Sequence, residues 1–115
     1  MRIGILGGTG PAGSALGARL ASVGYEVVIG SRSRYRAMEA VDGLKSAHPG
    51  HDLPIVPGDN REAAQCDVVV LATPWDSAAT TAQEQLELLQ GKIVISMANA
   101  LVRVGGEFQP LCLLY

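Results

Sequence analysis

The sequence predicts an α/β fold, a doubly wound parallel sheet in three α/β/α layers, and three observations carry that expectation. Apolar, β-favouring runs alternate with helical segments along the chain, as parallel strands joined by crossovers require. The run Asp67-Val68-Val69-Val70-Leu71-Ala72 is apolar without a period of two, the pattern of a central strand covered on both faces. A glycine-rich turn, Gly8-x-Gly10-x-x-Gly13, leaves the first apolar run and opens a helix.

Taken in order, strands are expected at Ile3 to Leu6, Val27 to Ile29, Ile55 to Val56, Val68 to Ala72 and Ile93 to Ser96. Pro54 and Pro57 flank the third of these, which places it at a sheet edge. Leu16, Leu20 and Val23 recur at i, i+4 and i+7 and form the core-facing stripe of a first helix, which Gly24 stops. A second helix is expected from about Tyr35 to Leu44, weakened at its end by Asp42-Gly43, and a short helical turn from about Glu62 to Gln65. Thr73 as cap, Pro74 at the first helical position and Asp76 near the positive end mark a further helix that Gly91 closes after Leu86, Leu88 and Leu89. Beyond the last strand, Met97-Ala98-Asn99-Ala100 and Val104-Gly105-Gly106-Glu107 read as a loop over the carboxyl edge of the sheet.

The composition bounds what such a fold can do. With 115 residues, 48% of them hydrophobic and 17% charged, the chain can bury one core, so residues 1–115 read as a single domain. A formal charge of −2 supplies no basic field for nucleic acid or anionic lipid, so any anion must be held by local groups. No apolar run approaches the roughly 20 residues that span a bilayer, and a strand begins almost at Met1 with no targeting peptide before it, so a cytoplasmic protein is expected. Cys66 and Cys112 lack the spacing of a zinc or redox motif and read as buried thiols. His48 and His51 frame Pro49-Gly50 without a neighbouring ligand cluster, so no metal site is expected.

The glycine-rich turn has the context of a dinucleotide fingerprint and makes this a Rossmann-type unit. Gly8 is expected to permit the tight turn out of the strand, Gly10 to let backbone approach a pyrophosphate, and Gly13, followed by Gly17, to let the helix lie close to the first strand. Amides at the helix start, through Ala12 and Gly13, face the phosphates with the dipole behind them. Pro11 has no N–H to leave unpaired there, and Thr9 can add a hydroxyl. In NAD-binding proteins an acidic residue about 20 positions beyond the loop holds the ribose 2′-hydroxyl. Here that place reads Gly30-Ser31-Arg32, so a hydroxyl and a guanidinium stand ready for a 2′-phosphate and NADP is expected in preference to NAD. Arg34 and Arg36 either extend this pocket or are solvated charges on a helix. At the carboxyl edge, Ala72-Thr73-Pro74-Trp75 leaves room for a nicotinamide ribose, with Trp75 read as a packing residue ahead of a wall of the site. Asp59-Asn60 reads as a turn and cap with no chemistry attached.

With these residues in view, the run Met1-Arg2-Ile3-Gly4-Ile5-Leu6-Gly7-Gly8-Thr9-Gly10, with Val28-Ile29-Gly30-Ser31-Arg32 and Ala72-Thr73-Pro74-Trp75, resembles the F420-dependent NADP oxidoreductase family. The resemblance covers essentially the whole chain and is strongest up to Ser96. It implies that Thr9, Gly10, Pro11 and Ala12 hold the pyrophosphate, within the turn from Gly8 to Gly13 read above, that Ser31, Arg32 and Arg36 hold the 2′-phosphate, and that Thr73, Pro74 and Ala98 border the nicotinamide half. It further implies reversible hydride transfer between NADP(H) and the deazaflavin coenzyme F420, with both rings held at transfer distance rather than attacked by a protein acid or nucleophile. Family members commonly have Asn-Pro where this chain has Asn99-Ala100. They also continue into a smaller helical domain that helps to hold F420 and forms a homodimer, a domain expected to be missing from these 115 residues. The alternatives are a related NADP-dependent reductase of an imine, keto acid or metal chelate, and a non-catalytic NADP-binding module.

Overall fold

The computed structural model describes residues 1–99 and 101–110; Ala100 and the last five residues, Cys112 among them, lie outside the described residues. Five parallel strands form the main sheet: β1 (Arg2–Leu6), β2 (Glu26–Ser31), β3 (Ile55–Asp59), β4 (Val68–Leu71) and β5 (Ile93–Ser96). Their order, β3-β2-β1-β4-β5, reverses direction beside β1, which is the topological switch point of a dinucleotide-binding fold. The helices are α1 (Pro11–Ser22), α2 (Arg34–Ala47), α3 (Asn60–Ala64), α4 (Trp75–Glu84) and α5 (Leu86–Leu89).

Two apolar layers pin the helices to the sheet. On one face Ile3, Ile5, Val27, Ile29 and Ile55 pack with Ala21 and Val41 and with the partly buried Leu16, Leu20 and Leu44. On the other, Leu6, Val28, Val69 and Leu71 meet Ala63, Ala64 and Cys66, with Ala82, Leu88 and Leu89 at the margin. Alternation along each strand divides these side chains between the two faces, so the expected three layers are present. Close approach is extreme where β1 meets α3: a Cβ on Gly4 would lie 1.9 Å from the Ala63 carbonyl oxygen.

Several local expectations change. Val23 is 58% exposed and caps α1, because the helix turns one residue earlier and Ala21 takes the buried place. The second helix runs straight through Asp42-Gly43 to Ala47, held by Ala37 and Val41 in the core, so packing outweighs the weak propensity there. β3 extends through Pro57 to Asp59, which an edge strand tolerates because the missing N–H faces away from β2. The helix after β4 breaks at Gln85, and the separate turn α5 re-aims Leu88 and Leu89 onto the second layer. Thr73 does not cap α4; Pro74 occupies the N-cap position without a side-chain bond. After β5 the chain does not form a simple loop: β6 (Leu101–Val104) and β7 (Glu107–Pro110) pair as an antiparallel hairpin around Gly105 and Gly106.

Candidate dinucleotide site

The turn out of β1 is made by Gly7, not Gly8: Gly7 has φ of +66°, a left-handed conformation that costs glycine little and other residues much. Gly8 is buried beneath the turn, its amide donating to the Gly30 carbonyl of β2 at 2.8 Å. Gly13 fulfils its expected part, since a Cβ there would lie 2.8 Å from the Gly8 Cα and 3.0 Å from the Ala72 Cβ. A Cβ on Gly17 would come within 2.8 Å of the Ile29 side chain, so the close contact continues one turn on. Gly10, by contrast, faces open space on the side a ligand would occupy.

The first intrahelical bond of α1 runs from the Ser14 amide to the Gly10 carbonyl at 2.9 Å, so the amides of Ala12 and Gly13 precede the helical ladder. Pro11 stands at the helix start, and the first turn contains no acidic residue to offset the positive end of the dipole. The Ser14 hydroxyl ties the loop down by donating to the Gly8 carbonyl at 2.9 Å.

This loop forms one wall of an open cleft of about 530 Å³ at the carboxyl edge of the sheet. Thr9, Gly10, Pro11 and Ala12 line it from the loop and the start of α1, Arg32 and Arg36 from the end of β2 and the start of α2. Thr73, Pro74 and Ala98 line it from the segments after β4 and β5. The structure thus brings together these nine of the twelve expected site residues, whereas Gly8, Gly13 and Ser31 lie beneath the surface. The Ser31 side chain is buried, and its oxygen accepts the Ser33 amide at 3.2 Å. The hydroxyl proton of Ser31 remains able to donate.

Electrostatics separate the three arginines. The Arg34 guanidinium pairs with the Glu62 carboxylate from α3 and does not line the cleft. Arg32 and Arg36 form no ion pair among the described residues. Asp59, beside Ser31 in the register of β2 and β3, has an oxygen engaged by the Glu62 amide at 2.7 Å. Neither Asp59 nor Glu62 lines the cleft, and the charged residues that do are Arg32 and Arg36, so that end of the cleft is positive.

Two polar groups in the cleft stand out. The Thr73 hydroxyl oxygen is buried without a hydrogen-bond partner among the described residues, a state that costs free energy until an acceptor or donor arrives. Asn60, expected to be part of a turn and cap with no chemistry attached, lies on the cleft and accepts the Gly7 amide through Oδ1 at 3.1 Å. The signal was present in tandem: Asp59 and Asn60 are both capping types, and only Asp59 caps α3. Trp75 is 38% exposed and lines the cleft, so it is a wall and not the packing residue expected. Met97, Asn99 and Phe108 line it as well, Phe108 from the hairpin. A larger hollow of about 730 Å³ between α1 and α2, beside His48 and His51, contains none of the loop residues. No group of three metal-ligating side chains occurs among the described residues.

Comparison with known proteins agrees with this fold. The family described as NADP oxidoreductase coenzyme F420-dependent matches residues 2–100. The chain is 37% identical over 118 aligned positions to an F420-dependent NADP reductase of Methanocaldococcus jannaschii, covering 100% of this chain and 52% of that protein. It is 36% identical over 96 positions to the F420-dependent NADP reductase of Methanothermobacter marburgensis, covering 83% of this chain and 43% of the relative. The chain therefore spans about half the length of the curated relatives it matches. Among solved structures, a protein described as an F420-dependent NADP-reductase from Arthrobacter sp. FB24 superposes with a TM-score of 0.75 at 28% identity, over 96% of this chain and 50% of that one. Pyrroline carboxylate reductase of Plasmodium falciparum shares the fold with a TM-score of 0.58 at 23% identity, over 92% of this chain and 36% of that one. This chain belongs to the family of coenzyme F420-dependent NADP oxidoreductases.

Proposed function

We propose that the chain binds NADP(H) in the cleft and orients its nicotinamide for hydride exchange with the deazaflavin coenzyme F420. One observation carries the reading: a helix start with free amides and the unpaired Arg32 and Arg36 open on the same cleft, so it offers one site for a diphosphate and one for a 2′-phosphate. The open side of Gly10 and the unpartnered Thr73 hydroxyl fit a group lying across the loop toward Ala98. Hydride transfer itself is the chemistry that the two cofactors supply when bound. What the residues of this chain do is hold and orient: loop amides at the diphosphate, Arg32 and Arg36 at the 2′-phosphate, Thr73 and Ala98 beside the nicotinamide ribose, Trp75 excluding water from one side.

The relatives are named for both cofactors, and they are about twice as long as this chain. The reading therefore assigns residues 1–115 as the NADP-binding domain, with a further domain of the family contributing to F420 and to a homodimer in the cytoplasm. The bare apolar faces of β5 support association with more polypeptide. No helix among the described residues is long and apolar enough to cross a membrane.

Titration with NADPH and NADH, followed by nicotinamide fluorescence, tests the reading. NADPH is expected to bind more tightly, and Arg32→Ala to weaken it on the order of ten- to a hundredfold while leaving NADH nearly unchanged, the worth of one or two charge-assisted bonds. Equal loss for both nucleotides would sink the 2′-phosphate assignment. Bleaching of oxidised F420 by NADPH in the presence of the protein tests the acceptor, and an unchanged spectrum would exclude F420 chemistry by this chain alone.

A further inference from the structure

Asn60 begins α3, yet its side chain serves neither that helix nor the apolar layer beneath it. Asp59 already caps the helix, accepting the Glu62 amide at 2.7 Å. Asn60 is instead 6% exposed, held over the ends of β1 and β2. Its Oδ1 accepts the Gly7 amide at 3.1 Å, and a Cβ on Gly30 would meet that same oxygen at 3.1 Å. Because the Gly7 N–H can only donate, the atom facing it must be the carboxamide oxygen, so the orientation of the amide is chemically determined. The other end, Nδ2, has no hydrogen-bond partner among the described residues, and the little of Asn60 that is exposed opens on the cleft.

Thr73 also packs on Gly7: a Cβ on Gly7 would lie 2.5 Å from the Thr73 Cγ2, and the Thr73 hydroxyl is itself unpartnered among the described residues. The one residue in the loop with left-handed backbone is thus held by both Asn60 and Thr73, and each leaves a polar group free. Among the described residues the Thr73 hydroxyl is the buried side-chain group left without a partner, whereas Asn60 Nδ2 reaches the cleft with hydrogens to donate. A group that enters the cleft can therefore accept from Nδ2, and Gly7, to which Oδ1 is bonded, belongs to the loop that leads into the start of α1.

Resting on the NADP-binding reading above, we propose that Asn60 is a two-ended contact of the dinucleotide site: Oδ1 positions the Gly7 turn, and Nδ2 donates to an oxygen of the bound diphosphate. The contact is to a part shared by NADP and NAD, which separates it from Arg32. It also couples α3 to the ligand, because the same carboxamide links the turn that cradles the diphosphate to the start of the helix crossing from β3 to β4.

Asn60→Asp tests both ends at once, since it keeps an acceptor for Gly7 and replaces the donor by a second oxygen that repels phosphate. The new carboxylate lies at the start of α3, where the helix field tolerates it. At about pH 8, where that carboxylate is ionised, the variant is expected to melt near the wild type and to lose affinity for NADPH and NADH alike, each by on the order of tenfold or more. Unchanged binding of both nucleotides, or loss confined to NADPH, overturns the proposal. If the variant does not fold, the wild type decides. The chain contains two asparagines, Asn60 and Asn99, so selective ¹⁵N-asparagine labelling gives two side-chain amide pairs, and Asn99→Ser identifies that of Asn60. Saturation with NADPH is expected to shift the Asn60 pair, and NADH to shift it in the same direction; a pair that stays in place overturns the contact. Should the wild type bind neither nucleotide, the NADP reading and this proposal fall together, whereas tight binding with an unmoved Asn60 pair removes this proposal alone.

Discussion

β2 and β5 look alike as sequence, short apolar runs rich in Val and Ile, and the fold treats them oppositely. Val27, Val28 and Ile29 are at most 2% exposed, whereas Ile93, Val94 and Ile95 are 66%, 39% and 50% exposed. Register explains which face is bare: Ile93 and Ile95 stand opposite Val68 and Val70 of β4, on the face that α1 and α2 cover nearer β1. Right-handed crossovers place α1 and α2 on that face as the chain moves from β1 to β3, and α3 to α5 on the other as it returns toward β5. Among the described residues nothing covers Ile93 and Ile95. The comparison teaches that an apolar run specifies a strand, while the direction in which the chain crosses the sheet decides whether the strand is buried.

The sharpest way to break the buried half is Gly4→Ala, which forces a Cβ against the Ala63 carbonyl and is expected to cost roughly 3 kcal/mol or more. Urea denaturation checks it, and a wild-type midpoint would mean that α3 can lift from β1 without loss. Next comes a matched pair of truncations. Ile29→Ala, at a fully buried site, should cost about 2 to 5 kcal/mol, and Ile95→Ala within about 0.5 kcal/mol. Equal losses would show that β5 is covered in solution.

Lys92 joins the two regions by donating from the loop before β5 to the Ala64 carbonyl at the end of α3, at 2.7 Å. Lys92→Met is expected to cost about 1 kcal/mol and to speed hydrogen exchange of the β5 amides more than those of β2. Equal acceleration in both strands would argue that the contact does not hold β5 in particular.

The smallest effect concerns Cys66. Burial pushes its thiol above the ordinary value of 9.0, with Arg2 and Lys92 opposing and Asp67 adding to the rise. The folded thiol keeps its proton to higher pH than the unfolded one, so its contribution to stability is full below pH 9.0 and declines as pH rises through that value toward the folded pKa. Cys66→Ala should flatten that part of the stability profile, and an unchanged slope would assign it to other groups. Alkylation of Cys66 should be slow under native conditions and fast in denaturant.

The loop and its strands were legible because their signals are local. Gly10, Gly13 and Pro11 act within one turn of chain, and the choice of Ser31-Arg32 over an acid is a matter of which side chain stands at one strand end. Other roles, which the sequence left open or misplaced, depend on groups distant along the chain. Whether Arg34 serves the cleft depends on Glu62, 28 positions away. Asn60 gains its part from Gly7, 53 positions earlier. Thr73 looks like a cap and instead packs its methyl against Gly7.

By itself, then, the sequence determined the five parallel strands and the helices between them, the glycine turn and the positive end of β2, all of which follow from short-range sterics, periodicity and charge. Only the tertiary structure decided which glycine turns left-handed, which arginines remain unpaired, and which of two like strands is bare. Those outcomes depend on crossover handedness and on the one available partner for each polar group, and both are properties of the assembled sheet.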